Sequence, residues 1–98
     1  MERDEIIEIG IDSDGKLYLV PSSKEFPFIY REAKEVSWHP ELKRLYSPKP
    51  KEWSYARWYT QIVNAVKEQS CILSISKTVK WVAIPESVKL EILSLSKT

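Results

Sequence analysis

Residues 53–68 form the longest segment of this sequence with a clear helical periodicity. At about 100° per residue, the aromatic and aliphatic side chains fall on one side of the helix and the polar side chains on the other. An amphipathic helix of this kind must bury its apolar side, so the rest of the chain has to supply a surface for it. The predicted buried residues of the helix are Tyr55, Trp58, Tyr59, Ile62, Val63 and Val66.

The first residues of this segment predict how the helix starts. Ser54 is a suitable N-cap, because its hydroxyl can accept a hydrogen bond from a backbone N–H of the first turn. Trp53 and Trp58 then occupy the two positions of a hydrophobic staple. Arg57 stands where a complete capping box would have an acid. A helix that began at Lys51 or earlier would instead project Trp53 from its polar face, as an exposed indole.

The N-terminal part of the chain predicts a β-hairpin over residues 5–20. Ile7, Ile9 and Ile11 alternate with other residues, which is typical of a strand with one buried face. The polar residues 12–15 end in glycine and predict the turn. We therefore expect all three isoleucines to face the core.

Two further pairs of extended segments are predicted on either side of the helix. Residues 35–38 and 42–46 indicate an antiparallel pair. After the helix, residues 71–76 and 79–84 indicate two extended segments, with residues 77–78 as a tight turn between them.

Three other stretches are predicted from their prolines and their periodicity. Residues 26–34 fit either a strand or a helix, and one or two helical turns are favoured. Residues 47–51 contain two prolines and must be extended, because a proline moves the residue before it out of the helical region. Residues 86–96 alternate as a strand would, yet Pro85 and the acid after it favour a short helix.

These elements predict an α+β fold in a single globular domain covering residues 1–98. A mostly antiparallel sheet of about five strands carries the helix, at about 54–68, across one face. A content of 43% hydrophobic residues is enough to build a core and excludes the composition of a disordered chain. The sheet side of the core is predicted to be Ile7, Ile9, Ile11, Leu17, Leu19, Val36, Leu73 and Ile75.

Composition and charge narrow the location and the class of partner. The formal net charge is +1, so the overall field favours neither nucleic acids nor acidic substrates. Cys71 is the only cysteine, which excludes an intrachain disulfide and favours a reducing compartment. The acidic N-terminus does not resemble a signal peptide, and no apolar run is long enough to span a membrane. We therefore predict a cytoplasmic protein without a membrane partner.

Enzymatic chemistry has little support in the sequence. His39 is the only histidine, and no nucleophile motif surrounds it or Cys71. Gly10 and Gly15 are isolated, so a phosphate-binding loop is not indicated. The acidic turn at residues 12–15 lacks the later glutamate of a calcium loop. We predict a protein that is not an enzyme and has no catalytic residues, no cofactor and no metal site.

The segment 43–59 interleaves basic and aromatic residues and is the part of the chain that most favours a binding function. Three of its aromatic residues are needed for the buried side of the helix, which leaves Tyr46 and Trp53 available for a partner. Trp38 and Trp81 are the next candidates if either is exposed. The predicted partner-binding residues are Trp53, Arg57, Lys51, Tyr46 and Arg44.

Four tryptophans in 98 residues favour a protein-binding role, because tryptophan, tyrosine and arginine dominate interface hot spots. The first hypothesis is a small inhibitor, an immunity or antitoxin-like protein, or an adaptor. One alternative is weak binding of single-stranded nucleic acid by residues 43–59, through base stacking and phosphate contacts. A second is a small ligand bound in an aromatic cleft between helix and sheet. A homodimer is also open, because a chain this short often gains stability from a partner.

Overall fold

A computed structural model describes residues 1–96 of the chain. A five-stranded sheet carries two helices, and a short 3₁₀ turn at Ile29–Arg31 lies between the second and third strands. The elements in chain order are β1 (Glu2–Ile11), β2 (Leu17–Pro21), β3 (Ser37–His39), β4 (Arg44–Tyr46), α1 (Tyr55–Glu68), β5 (Cys71–Val82) and α2 (Glu86–Leu95).

The strands lie in the order β3-β4-β2-β1-β5. Every neighbouring pair is antiparallel except β1 and β5, which run parallel. β4 and β5 therefore point in the same direction, so α1 has to return the chain along the sheet between them. The predicted α+β fold, with its mostly antiparallel sheet and its short C-terminal helix, is confirmed. The predicted hairpin and the helical turn within residues 26–34 are present as well.

The first strand departs from the predicted alternation at Ile7. Its pairing register shifts between Ile6 and Glu8, toward β2 and toward β5 alike. Ile6 and Ile9 are fully buried, Ile11 is half-buried, and Ile7 is 43% exposed. The prediction that Ile7 faces the core is wrong, because a β-bulge inserts one residue and changes which residues point inward.

The predicted tight turn at residues 77–78 is also wrong, because residues 71–82 form the single strand β5. Ile75 pairs with Ile6 and Lys80 pairs with Glu8, so residues 76–79 form a wide bulge opposite Ile7. Within this bulge the Thr78 N–H donates to the Ser76 hydroxyl at 3.2 Å. This local bond satisfies a backbone donor that has left the strand ladder. The backbone of β5 therefore leaves the pairing with β1 after Ile75 and resumes it in the same direction at Lys80.

The core lies between the sheet and the helices. The predicted residues Ile9, Leu17, Leu19, Val36 and Leu73 are buried, while Ile11 and Ile75 are half-buried. On α1, four of the predicted residues are buried, whereas Tyr55 and Val63 are half-buried. The prediction missed several residues that complete this core, namely Ile6, Phe26, Ile29, Leu45 and Ile92.

Asp4 fastens the loop after β2 to the first strand. Its buried carboxylate accepts the backbone N–H groups of Ser23 at 3.0 Å and Lys24 at 2.9 Å, together with the Ser23 hydroxyl at 3.3 Å. Burial raises the pKa of Asp4, but the hydrogen bonds donated to the carboxylate lower it by more, so the pKa lies below its usual value.

This lowered pKa predicts a loss of stability in acid. A carboxyl whose pKa is lower in the folded chain contributes stability above its unfolded pKa of about 3.9. That contribution is lost as the pH falls through the folded pKa. Urea unfolding of the wild type and of Asp4→Asn should therefore give free energies of unfolding that converge between about pH 5 and pH 2. A difference that stays constant over this range would contradict the assignment.

Candidate partner-binding surfaces

The N-terminus of α1 organises the first surface. Ser54 is the N-cap, and its hydroxyl accepts the Arg57 N–H at 3.1 Å. The rings of Trp53 and Trp58 pack with their centroids 4.7 Å apart, and the Arg57 guanidinium lies 4.3 Å from the Trp53 ring centroid. The predicted cap and staple are therefore present, and they hold Trp53 and Arg57 together.

A groove of about 410 Å³ lies between the extended connector and the start of α1. We call it the Trp53 groove. Trp53 is half-buried, so part of its indole remains accessible, and the charged residues of the groove are exposed and of both signs. Lys51 belongs to this group, as predicted from the sequence, and Glu35 reaches it from the distant segment before β3. The lining residues are Glu35, Pro48, Lys49, Lys51, Glu52, Trp53 and Trp58.

Trp58 contributes an unusual polar group to this region. The side chain is only 8% exposed, and among residues 1–96 its Nε1 is the buried side-chain polar atom without a hydrogen-bond partner. An unsatisfied buried donor costs about 1–3 kcal/mol. Because the atom is screened from solvent, neighbouring side chains must shift before an acceptor can reach it.

Arg44 and Tyr46 do not belong to the Trp53 groove. They flank Leu45, which is fully buried in the core with the residues of α1. Because side chains alternate along a strand, Arg44 and Tyr46 lie on the other face of the sheet. The structure therefore divides the five predicted residues, with Trp53, Arg57 and Lys51 at the helix start and the other two on the opposite sheet face.

On that face, tyrosines and cations pack against one another. Tyr18 and Tyr46 are paired across β2 and β4, with Arg44 4.0 Å from the Tyr18 ring centroid and Lys16 5.4 Å from that of Tyr46. The Tyr18 hydroxyl donates to Glu8 at 2.6 Å. Burial, and then this hydrogen bond, raise the pKa of Tyr18 to about 12. Cations thus occupy positions over both rings.

The two remaining candidate tryptophans are half-buried. Trp38 packs edge-on against Phe26, with ring centroids 5.9 Å apart, and Trp81 lies 5.6 Å from the Lys89 ammonium of α2. Exposed large apolar side chains lie elsewhere, among them Phe28, Tyr30, Leu42, Leu90 and Leu95. The sequence pattern did not single them out, because each lies in a segment whose buried residues set the periodicity.

His39 and Cys71, the two side chains considered for catalysis, are held by contacts within the fold. His39 accepts the Leu42 N–H at Nδ1, at 3.1 Å, within its turn. Cys71 is buried, and burial, followed by the negative charges of Asp4 and Glu2, raises the pKa of its thiol. Within residues 1–96 no group of histidine, cysteine and acidic side chains is arranged to hold a metal ion. None of the helices described is long and apolar enough to cross a membrane.

Comparison with known proteins finds one family. The sequence profile described as integron cassette protein Hfx_Cass5 matches residues 4–79. A solved structure of Hfx_Cass5, from the mobile metagenome of the North West Arm Sewage Outfall, is 38% identical. That match covers 100% of this chain and 99% of the other, with a TM-score of 0.50. No curated protein matches the chain.

Proposed function

The chain belongs to the Hfx_Cass5 family of integron cassette proteins, and we propose that it is a small non-catalytic protein that binds a segment of a protein partner in the Trp53 groove. The observation that supports this proposal is the pair of packed indoles, Trp53 and Trp58, in the wall of an open groove. Tryptophan buried at the centre of an interface is among the strongest contributors to binding energy.

The groove offers what an extended peptide needs. Two indoles and Pro48 form an apolar surface, and aromatic-lined grooves of this kind bind proline-containing or other extended segments. The capped helix and the staple hold Trp53 in place before binding, which lowers the entropy lost when a partner docks. Arg57 covers part of the Trp53 ring and adds donors beside it.

The charges around the groove suggest the chemistry of the partner. Lys49 and Lys51 stand with Glu35 and Glu52 around the apolar surface, and all four are exposed. Charged residues of both signs around an apolar surface fix the orientation of the bound partner more than they increase its affinity. We infer an extended peptide with an apolar anchor for the indoles and charged residues of both signs beside that anchor.

An inhibitor, an immunity or antitoxin-like protein, or an adaptor would bind its partner in this way, in the cytoplasm and without catalysing a reaction. Binding of nucleic acid by residues 43–59 has less support, because the basic and aromatic residues of that segment are divided between two faces and cations already lie over Tyr18 and Tyr46. A small ligand in the groove is the alternative hypothesis, because about 410 Å³ is within the usual range for such sites.

Selection from a library of random peptides displayed on phage tests the proposal directly. The wild type should enrich peptides with a shared apolar anchor, and their binding can be measured by quenching of tryptophan fluorescence. Trp53→Ala should weaken binding of the selected peptide by about 30-fold, which corresponds to about 2 kcal/mol for a hot-spot tryptophan.

Trp81→Ala is the matched control. It removes an indole that is half-buried, as that of Trp53 is, yet Trp81 does not line the groove. Both variants should be folded by circular dichroism at the assay temperature, and Trp81→Ala should bind nearly as tightly as the wild type. Failure of the wild type to enrich any sequence family, or equal binding by Trp53→Ala, would overturn the proposal. A small ligand, rather than a peptide, would then be the better hypothesis for the groove.

A further inference from the structure

The two edges of the sheet differ greatly in length. The β3 edge has 3 residues, whereas β5 has 12 and, within residues 1–96, pairs with β1 on one side only. A long strand with a free edge presents unpaired N–H and C=O groups that can bind another strand. Natural proteins usually protect such an edge with charges, a bulge or a covering element.

Within the strand itself, the charges and the bulge are confined to the second half of β5. Residues 76–79 form the bulge, and Lys77 and Lys80 add charge to the second half. Residues 71–76, with the sequence Cys-Ile-Leu-Ser-Ile-Ser, contain no charge, no proline and no glycine. Short uncharged segments rich in β-branched residues are the ones that pair most readily with another strand.

In residues 71–76, the backbone N–H and C=O groups of alternate residues point outward from the edge of the sheet. The Ser70 carbonyl accepts the Glu2 N–H at 2.9 Å, so it faces β1. Because backbone groups change direction at each residue of a strand, those of Ile72 and Ser74 also face β1. The N–H and C=O groups of Cys71, Leu73 and Ile75 therefore point away from the sheet.

A cleft of about 400 Å³ lies along this part of the edge. Tyr59, Val63 and Lys67 of α1 form one side, and Leu95 of α2 closes one end. Ile72 and Ser74 belong to the strand itself, and Arg3 lines the cleft from the neighbouring strand β1. The helices thus border the edge and leave a space beside it into which another strand can enter.

The second helix adds apolar surface at the same place. Ile92 is buried against the core, yet Leu90 is 58% exposed and Leu95 is 47% exposed. A helix that is apolar on several sides is normally buried on several sides. Leu95 lines the cleft, so its exposed apolar surface continues into the free edge of β5.

We propose that the edge formed by residues 71–76 binds the same edge of a second copy of this chain, as an antiparallel pair about a two-fold axis at Leu73. This arrangement places Leu73 opposite Leu73 of the second copy and Cys71 opposite its Ile75, so the outward backbone groups of both copies form hydrogen bonds with each other. The pairing brings no charged strand residues face to face, and each copy contributes a Leu95 to the same apolar junction. A second copy fits this edge because its uncharged segment is self-complementary in length and in chemistry.

Sedimentation equilibrium of the full chain tests the stoichiometry. The wild type should have twice the 11.5 kDa mass of one chain at micromolar concentration and should dissociate on dilution. Ser74 is exposed, and Ser74→Lys would bring two ammonium groups to diagonal positions across the interface. We expect this variant to raise the dissociation constant at least about 10-fold, which corresponds to about 1.4 kcal/mol.

Thr78→Lys is the matched control, because it places the same exposed charge on the same strand outside residues 71–76. This variant should dimerise as the wild type does. A wild type that is monomeric at every concentration tested would overturn the proposal, and so would equal dissociation constants for the two lysine variants.

Hydrogen exchange provides a second measurement that does not depend on any variant. The amides of Leu73 and Ile75 should become more protected as the protein concentration rises, whereas those of Ile72 and Ser74 face β1 and should be protected at every concentration. A concentration-dependent dimer in which these two pairs of amides behave alike would show that another surface forms the interface and would overturn the proposal.

Discussion

Replacing Ile6 with alanine is expected to lower the free energy of unfolding by about 3 kcal/mol, the middle of the range for removing a large aliphatic side chain from a core. Ile6 is fully buried and belongs to the cluster that joins the sheet to the helices. Its side chain reaches that cluster because the β-bulge after it changes which residues of β1 point inward. Urea unfolding of the wild type and the variant would measure the difference.

Ile7→Ala is the matched control for this prediction. The two residues are neighbours of the same type, yet Ile7 is 43% exposed, so its replacement should change the free energy of unfolding by no more than about 0.5 kcal/mol. Strict alternation of side chains along β1 predicts the reverse order of effects. If Ile7→Ala proved the more destabilising change, Ile7 rather than Ile6 would be the residue that faces the core.

Replacing Gly10 with alanine is the second substitution expected to have a large effect, at about 3 kcal/mol, near the upper end of the range for overpacking. A Cβ atom at Gly10 would lie 2.4 Å from Cζ of the Tyr18 ring. That ring is buried, hydrogen-bonded to Glu8 and covered by Arg44, so it cannot move without losing these contacts. The requirement is for space, because the backbone of Gly10 is not in the left-handed region.

A double-mutant cycle isolates this contact. In a Tyr18→Ala background the ring is gone, so the added methyl group should cost less than about 1 kcal/mol. The coupling between the two sites is then at least about 2 kcal/mol, measured by urea unfolding of the four proteins. An equal cost in both backgrounds would show that the methyl group clashes with something other than Tyr18.

The start of α1 shows how far local sequence can predict a site. Ser54, Trp53 and Trp58 interact within one turn of the same segment, so their spacing along the chain fixes their geometry. Arg57 lies in that turn as well. The sequence groups Arg44 and Tyr46 with them only because they are near in the chain. The alternation about the buried Leu45 directs them to the opposite face of the sheet.

Contacts between distant segments explain why the sequence does not predict Glu35 in the groove or the bulges in β1 and β5. Glu35 lines the Trp53 groove although it precedes the helix by a whole strand pair, and the two bulges in β1 and β5 face each other across a parallel pairing. The sequence of either strand alone indicates only a regular run or a turn. A bulge is defined by the pairing of a strand with its neighbours, and that pairing joins residues far apart in the chain.

Local sequence patterns predict the fold class, the amphipathic helix with its cap and staple, the N-terminal hairpin and the helical form of the C-terminal segment, because each depends on interactions between residues close together in the chain. Three features depend on the folded chain instead: Ile6 rather than Ile7 is buried, β5 is one strand, and the predicted site lies on two faces. These outcomes follow from strand register and from which face the helices cover. Both are set by long-range packing, which the local pattern of apolar residues does not contain.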